Sequence, residues 1–100
     1  MIKKTIEEIK AEEMAEENGL DLEVNLAYIN IVGLEYATAE DAEEAYQGEW
    51  ASDGDFVQNL LEDTGEIPEL PFYIHIDWEG TARDIMMDYS EDNGHYFRNL

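Results

Sequence analysis

Between Lys10 and Arg83 the chain has 20 aspartates and glutamates and not one lysine or arginine. No fold can neutralise that stretch with internal salt bridges, so its apolar residues must turn inward and its carboxylates outward. Over all 100 residues there are 26 acidic and five basic side chains, a net charge of -21. Solubility of a small domain needs a charge of only about 2 to 8. A field of this sign repels nucleic acid and anionic membrane surfaces and speeds encounter with basic partners. The expected partner is therefore a cationic protein, with no nucleic acid and no membrane involved.

The hydrophobic share of 44% supplies enough apolar surface for a core and argues against a disordered acidic tail. One domain, or two small lobes sharing a core, fits this length. The absence of cysteine excludes a disulfide framework and a thiolate metal site. "MIKKTIEEIK" turns acidic before any apolar signal core forms, and no window approaches 18 apolar residues. A cytoplasmic protein is expected.

Thr5 and Glu8 have the form of a capping box and Asn18-Gly19 that of a stop, which predicts a helix over 6–18 anchored by Ile2, Ile6, Ile9 and Met14. Residues 20–33 are ambiguous. Leu20, Leu22, Val24, Leu26 and Tyr28 alternate as in a strand, whereas Leu22, Leu26, Ile29 and Val32 keep helical spacing. Asp21 as a cap and Gly33 as a stop favour helix. Thr38 with Asp41, and Ser52 with Asp55, start two further helices, read as a helical hairpin; Tyr46 faces inward on the first and Gly48 ends it. The second buries Phe56, Val57, Leu60 and Leu61 and ends at Thr64-Gly65.

"EIPELP" reads as a linker, "FYIHI" as a short strand, and Asp77 as the cap of a helix carrying Trp78, Ala82, Ile85 and Tyr89. Asn93-Gly94 forms a tight turn whose following apolar run can pair with "FYIHI". The fold class is mainly α with a small β component (α+β): acidic helical lobes and a short C-terminal hairpin. The division expected is an acidic helical lobe over 1–66 and a C-terminal lobe over 67–100, with one continuous domain as the alternative.

Catalysis has no specific signal. With 26 acids, closeness of two carboxylates discriminates nothing; His75 and His95 lack metal-ligand spacing, and Ser52 and Ser90 sit in cap and turn contexts. Asp53-Gly-Asp55 and the Ser90–Gly94 loop offer calcium-friendly oxygens without the twelve-residue loop. The sequence is read as non-enzymatic, with no metal and no cofactor.

The acid itself is patterned. Glu8/Glu12, Glu12/Glu16, Glu13/Glu17 and Glu40/Glu44 are like-charge pairs at i, i+4, each destabilising a helix by about 0.2–0.5 kcal/mol. A rule broken repeatedly in one direction suggests function. From Glu8 to Glu17 a helix advances about 14 Å, a length over which one B-DNA strand presents about four phosphates. Five carboxylates occupy that span. Charge in this arrangement can stand in for DNA. A halophile's surface and an acidic adaptor or chaperone for another basic protein are the competing readings.

From about Leu34 onward the chain resembles the ArdA-type antirestriction proteins carried by mobile genetic elements. "EEAYQGEW", "DFVQNLLEDTG" and "IDWEGTARDIMMDYSEDNGHYF" follow that family's order of segments, the last through Asp77, Trp78, Ala82, Arg83, Asp84, Tyr89, Gly94, His95 and Phe97. The resemblance implies an elongated, mostly helical homodimer. It also implies a DNA mimic without catalysis, whose acidic surface fills the DNA-binding groove of type I restriction-modification enzymes. Because family members are longer, a short form matching the family's middle and C-terminal parts is expected. The partner-binding face is assigned to Glu40, Asp41, Glu43, Glu44, Glu49, Asp53, Asp55, Glu62, Asp63 and Glu66, extended by Glu8, Glu12, Glu13, Glu16 and Glu17. Trp50, Phe56, Leu60, Trp78 and Tyr89 are assigned to the core, Arg83 and Asp84 to a structural pair or an interface contact.

Overall fold

In the computed structural model, which describes residues 3–100, helix α1 (Ile6–Asn18) opens on the expected reciprocal cap. The Glu8 amide donates to Thr5 Oγ1 at 3.1 Å, and the Thr5 amide donates back to Glu8 Oε1 at 3.4 Å. Gly19, at φ 73°, closes the helix in the left-handed conformation that favours glycine. The apolar anchor differs from expectation. Ala11 and Met14 are buried, while Ile6 and Ile9 stand 68% and 46% exposed, and Ile2 lies outside the described residues. At about 100° per residue, Ile9 is roughly 200° round the helix from Ala11, so the two cannot share a face.

Residues Leu22–Val32 form helix α2, which resolves the ambiguity in favour of the 3.6 period. Val24, Ala27, Tyr28 and Ile29 are buried, and so is Asn25. Asn18 Nδ2 donates to Asn25 Oδ1 at 2.8 Å and to the Ala39 carbonyl at 3.1 Å, tying the α1–α2 turn to the start of α3 (Ala39–Ala45).

Tyr46 does not continue α3, and the helical hairpin expected there does not form. Tyr46–Glu49 is strand β1, followed by α4 (Asp53–Thr64), α5 (Trp78–Ile85), a 3-10 turn at Met86–Asp88, β2 (Tyr89–Asp92) and β3 (His95–Arg98). The sheet is antiparallel in the order β1-β3-β2. Its β2–β3 arm is a C-terminal hairpin that turns at the expected Asn93-Gly94, with Tyr89–Asp92 as the partner strand in place of "FYIHI". Pairing with β3 overrides local helix preference at Tyr46, whose ring lies 5.2 Å from that of Phe97. Gly48, at φ 105°, follows the register shift between Tyr46 and Gly48, so it shapes a bulge instead of ending a helix.

Two further expectations are corrected. "FYIHI" is not a strand: residues 74–77 run without regular structure after a turn at Phe72-Tyr73, and the C-terminal run pairs with β1 and β2 instead. Tyr89 belongs to β2, because α5 ends at Ile85 and a 3-10 turn intervenes.

Alternation along β3 sends neighbouring side chains to opposite faces. Phe97 joins the first core with Ala11, Met14, Tyr28, Ala42 and Ala45. Tyr96 joins the second with Phe56, Val57 and Ala82, against which Trp50, Leu60, Trp78 and Tyr89 pack as assigned. The result is an elongated mixed α+β molecule, 59 × 24 × 19 Å, with a core on each side of one short sheet.

Tyr28, Tyr46 and Tyr96 all hold their phenol protons above the ordinary range, chiefly because burial disfavours the charged form. For Tyr96, the bond it donates to Asp53 Oδ1 at 2.6 Å acts in the same direction. The unfolded chain releases these protons near pH 10 while the folded chain keeps them. Their contribution is therefore intact below about pH 10 and is lost as pH rises beyond it. Melting temperature is expected to hold up to about pH 9.5 and fall steeply above pH 10. Tyr96→Phe should flatten part of that fall, which thermal melts across the range would measure.

Candidate acidic interaction surface

Four helix starts orient the acid. At α3 and α4 the hydroxyls of Thr38 and Ser52 accept the amides of Asp41 and Asp55, each at 3.1 Å, so hydroxyls and not the aspartates are the caps. At α5 the Asp77 carboxylate itself accepts the Gly80 amide at 3.1 Å. Asp55 is thereby left exposed with its carboxylate uncommitted to the cap, whereas Asp41 is half-buried and lines a cavity of about 340 Å³ beside Tyr28, Phe97 and Leu100.

Of the 15 assigned carboxylates, Glu8, Glu12 and Asp41 are half-buried and the rest are exposed. Packing of α1 on α3 brings Glu13, Glu16 and Glu17 onto the same lobe as Glu40 and Glu43. Asp55, Glu62, Asp63 and Glu66 lie on or just beyond α4, which packs on α5 around the second core. The acid thus falls into two groups, one on each side of the sheet.

Cations relieve some repulsion that the sequence left uncompensated. Lys4 Nζ sits 2.6 Å from Glu12, and Arg98 reaches Glu44 at 3.4 Å. Three of the four like-charge pairs contain one of these two glutamates; Glu13/Glu17 contains neither. Lys10 spends its ammonium on the Leu34 carbonyl. Arg83 and Asp84 form no pair among the described residues, since adjacent positions on a helix do not face each other. Asp53 is committed to Tyr96, and Glu49 stands 3.7 Å from the buried His95, whose Nδ1 lies 3.1 Å from the Tyr46 hydroxyl. These long-range partnerships have no local sequence signature.

A net charge of -21 along 59 Å is one charge per about 2.8 Å. Duplex DNA carries one per about 1.7 Å and a single strand one per about 3.4 Å, so the protein falls between them. Two unit charges in water interact by RT at a separation of about 7 Å. The 2.8 Å is a projection on the long axis, and over a body 24 × 19 Å in cross-section the carboxylates themselves stand further apart. No helix among the described residues is long and apolar enough to cross a membrane.

The family model for antirestriction protein (ArdA) matches residues 2–97. The chain belongs to the ArdA antirestriction family. Neither the curated proteins nor the solved structures contain a match to it. The ArdA match covers residues 2–33 as well as the segments after Leu34, so α1 and α2 share in the family pattern that the motifs alone place further along. Membership directs the action of this ArdA chain against restriction enzymes.

Self-repulsion has a measurable consequence for the ArdA fold. The four like-charge pairs together amount to about 1–2 kcal/mol at low salt. Raising salt from about 10 mM to 0.5 M shortens the screening length from about 30 Å to a few ångströms. The melting temperature is then expected to rise by about 5 °C. A calorimetric series in sodium chloride would measure it, and no change would show that the two ion pairs already suffice.

Proposed function

We propose that this chain is a non-enzymatic DNA mimic that occupies the DNA-binding groove of a type I restriction-modification enzyme and keeps DNA out. The observation that carries the reading is the charge spacing of about 2.8 Å, intermediate between single-stranded and duplex DNA. Basic side chains that line a DNA groove would meet carboxylates where they expect phosphates, and the counterions released on both surfaces would drive association. Glu13, Glu16, Glu17, Glu40, Glu43, Asp55, Asp63 and Glu66 serve best as phosphate substitutes, being exposed and without a cationic partner among the described residues. In this reading the protein acts in the cytoplasm as a homodimer.

The test is competition. A type I methyltransferase core bound to labelled target DNA is titrated with the protein at low salt, and the DNA should be displaced. DNA binding undiminished by excess protein would overturn the reading.

A further inference from the structure

The segment between α4 and α5 is at odds with the rest of the surface. It is a connection of 13 residues, 65–77, with neither helix nor strand, a length at which loops are uncommon and are usually either functional or linkers. Leu70, Phe72, Tyr73 and Ile74 on it are 41%, 93%, 69% and 47% exposed. The Ile74 amide donates to the Pro71 carbonyl at 2.9 Å, which closes a β-turn with Phe72 and Tyr73 at its two corners. Such corners ordinarily hold Gly, Asn, Asp, Pro or Ser. Here they hold two aromatic rings, 5.5 Å apart and edge to face. Pro68 and Pro71 restrict the backbone on the approach, so part of the backbone entropy of ordering the turn is already spent.

We infer that the Phe72-Tyr73 turn is an apolar anchor that inserts into an apolar pocket within a cationic protein surface, and so supplies the part of the affinity that salt cannot screen. Charge complementarity fixes the occupant. Glu66, Glu69, Asp77 and Glu79 flank the turn in sequence. A second copy docked here about a two-fold axis would set this acid against itself. A basic surface would pair with it while the rings fill the pocket. Rigid aromatic groups ringed by polar contacts are what interface hot spots are made of. The inference rests on the reading that the partner is a DNA-binding enzyme, and it adds a contact that DNA itself does not make.

The experiment measures affinity of the full chain for a type I methyltransferase core over a series of salt concentrations, with wild type and with the double variant Phe72→Ala, Tyr73→Ala. Affinity of the variant is expected to be about 30-fold lower or more at every salt concentration, as for loss of a hot spot. The slope of log affinity against log salt should be unchanged, and so should the circular dichroism and melting temperature. A second variant, Phe72→Leu with Tyr73→Leu, should recover most of the loss because it keeps apolar area. Affinity within about twofold of wild type for the alanine variant would overturn the anchor while leaving the mimic standing. A changed salt slope would overturn it too, as would a change in sedimenting mass of the free protein, which would assign the turn to self-association. Failure of wild type to bind the core at low salt would instead overturn the mimic, and the anchor with it.

Discussion

Phe97→Ala is expected to destabilise the protein by about 3–5 kcal/mol, the usual range for removing a buried phenylalanine ring. The whole stability of a 100-residue domain is about 5–15 kcal/mol, so the substitution removes a large fraction of it. Phe97 is 1% exposed and packs against the rings of Tyr28 at 5.1 Å and Tyr46 at 5.2 Å. It thereby ties α2, β1 and β3 together, and the tie matters because β3 is the strand shared by both cores. In urea the unfolding midpoint should fall by about 2 M. A comparison at the next residue separates packing from hydrogen bonding. Tyr96→Phe keeps the ring stacked 4.7 Å from Phe56 and removes only the bond to Asp53, for about 1–2 kcal/mol. A loss below about 1 kcal/mol for Phe97→Ala would show that the two sides are held together elsewhere.

Of the five α-helices among the described residues, four were legible because their signals are local; α2 was ambiguous, and the side chain of Asp21 makes no capping bond there. Thr5, Thr38, Ser52 and Asp77 accept hydrogen bonds where the capping pattern places them, and Gly19 and Gly65 end their helices in the left-handed conformation. The sheet was not legible, since its signal is pairing between Tyr46–Glu49 and His95–Phe97, about fifty residues apart. "FYIHI" has the composition of a strand, yet β3 is already paired on both sides, so propensity alone gave a false partner. For the acidic surface, composition located the residues but could not separate exposed carboxylates from those with structural duties. Asp53 and Asp55 look alike in sequence and both are exposed, yet only Asp53 also accepts the Tyr96 hydroxyl. Nor could sequence give the length over which the charge is spread, which sets the spacing at about 2.8 Å.

That spacing fixes the second large expectation. If about 6–10 carboxylates meet basic side chains in the groove, affinity for a type I methyltransferase core should fall by about 10³- to 10⁵-fold between 50 and 200 mM salt. Each carboxylate taken out of the contact should lower the slope of log affinity against log salt by about 0.7–0.9, the range between single-stranded and duplex DNA. Glu13→Gln, Glu43→Gln, Asp55→Asn and Glu66→Gln are the clean probes, because these side chains are exposed and without a cationic partner among the described residues. Their effects should add, since a mimic spreads its attraction over many weak contacts. Asp53→Asn and Glu12→Gln should behave differently. The first disturbs the bond from Tyr96 and the second frees Lys4, so both alter the protein as well as the interface. A single neutralisation that abolished binding would point to one discrete site, and the resemblance to DNA would then have no energetic content.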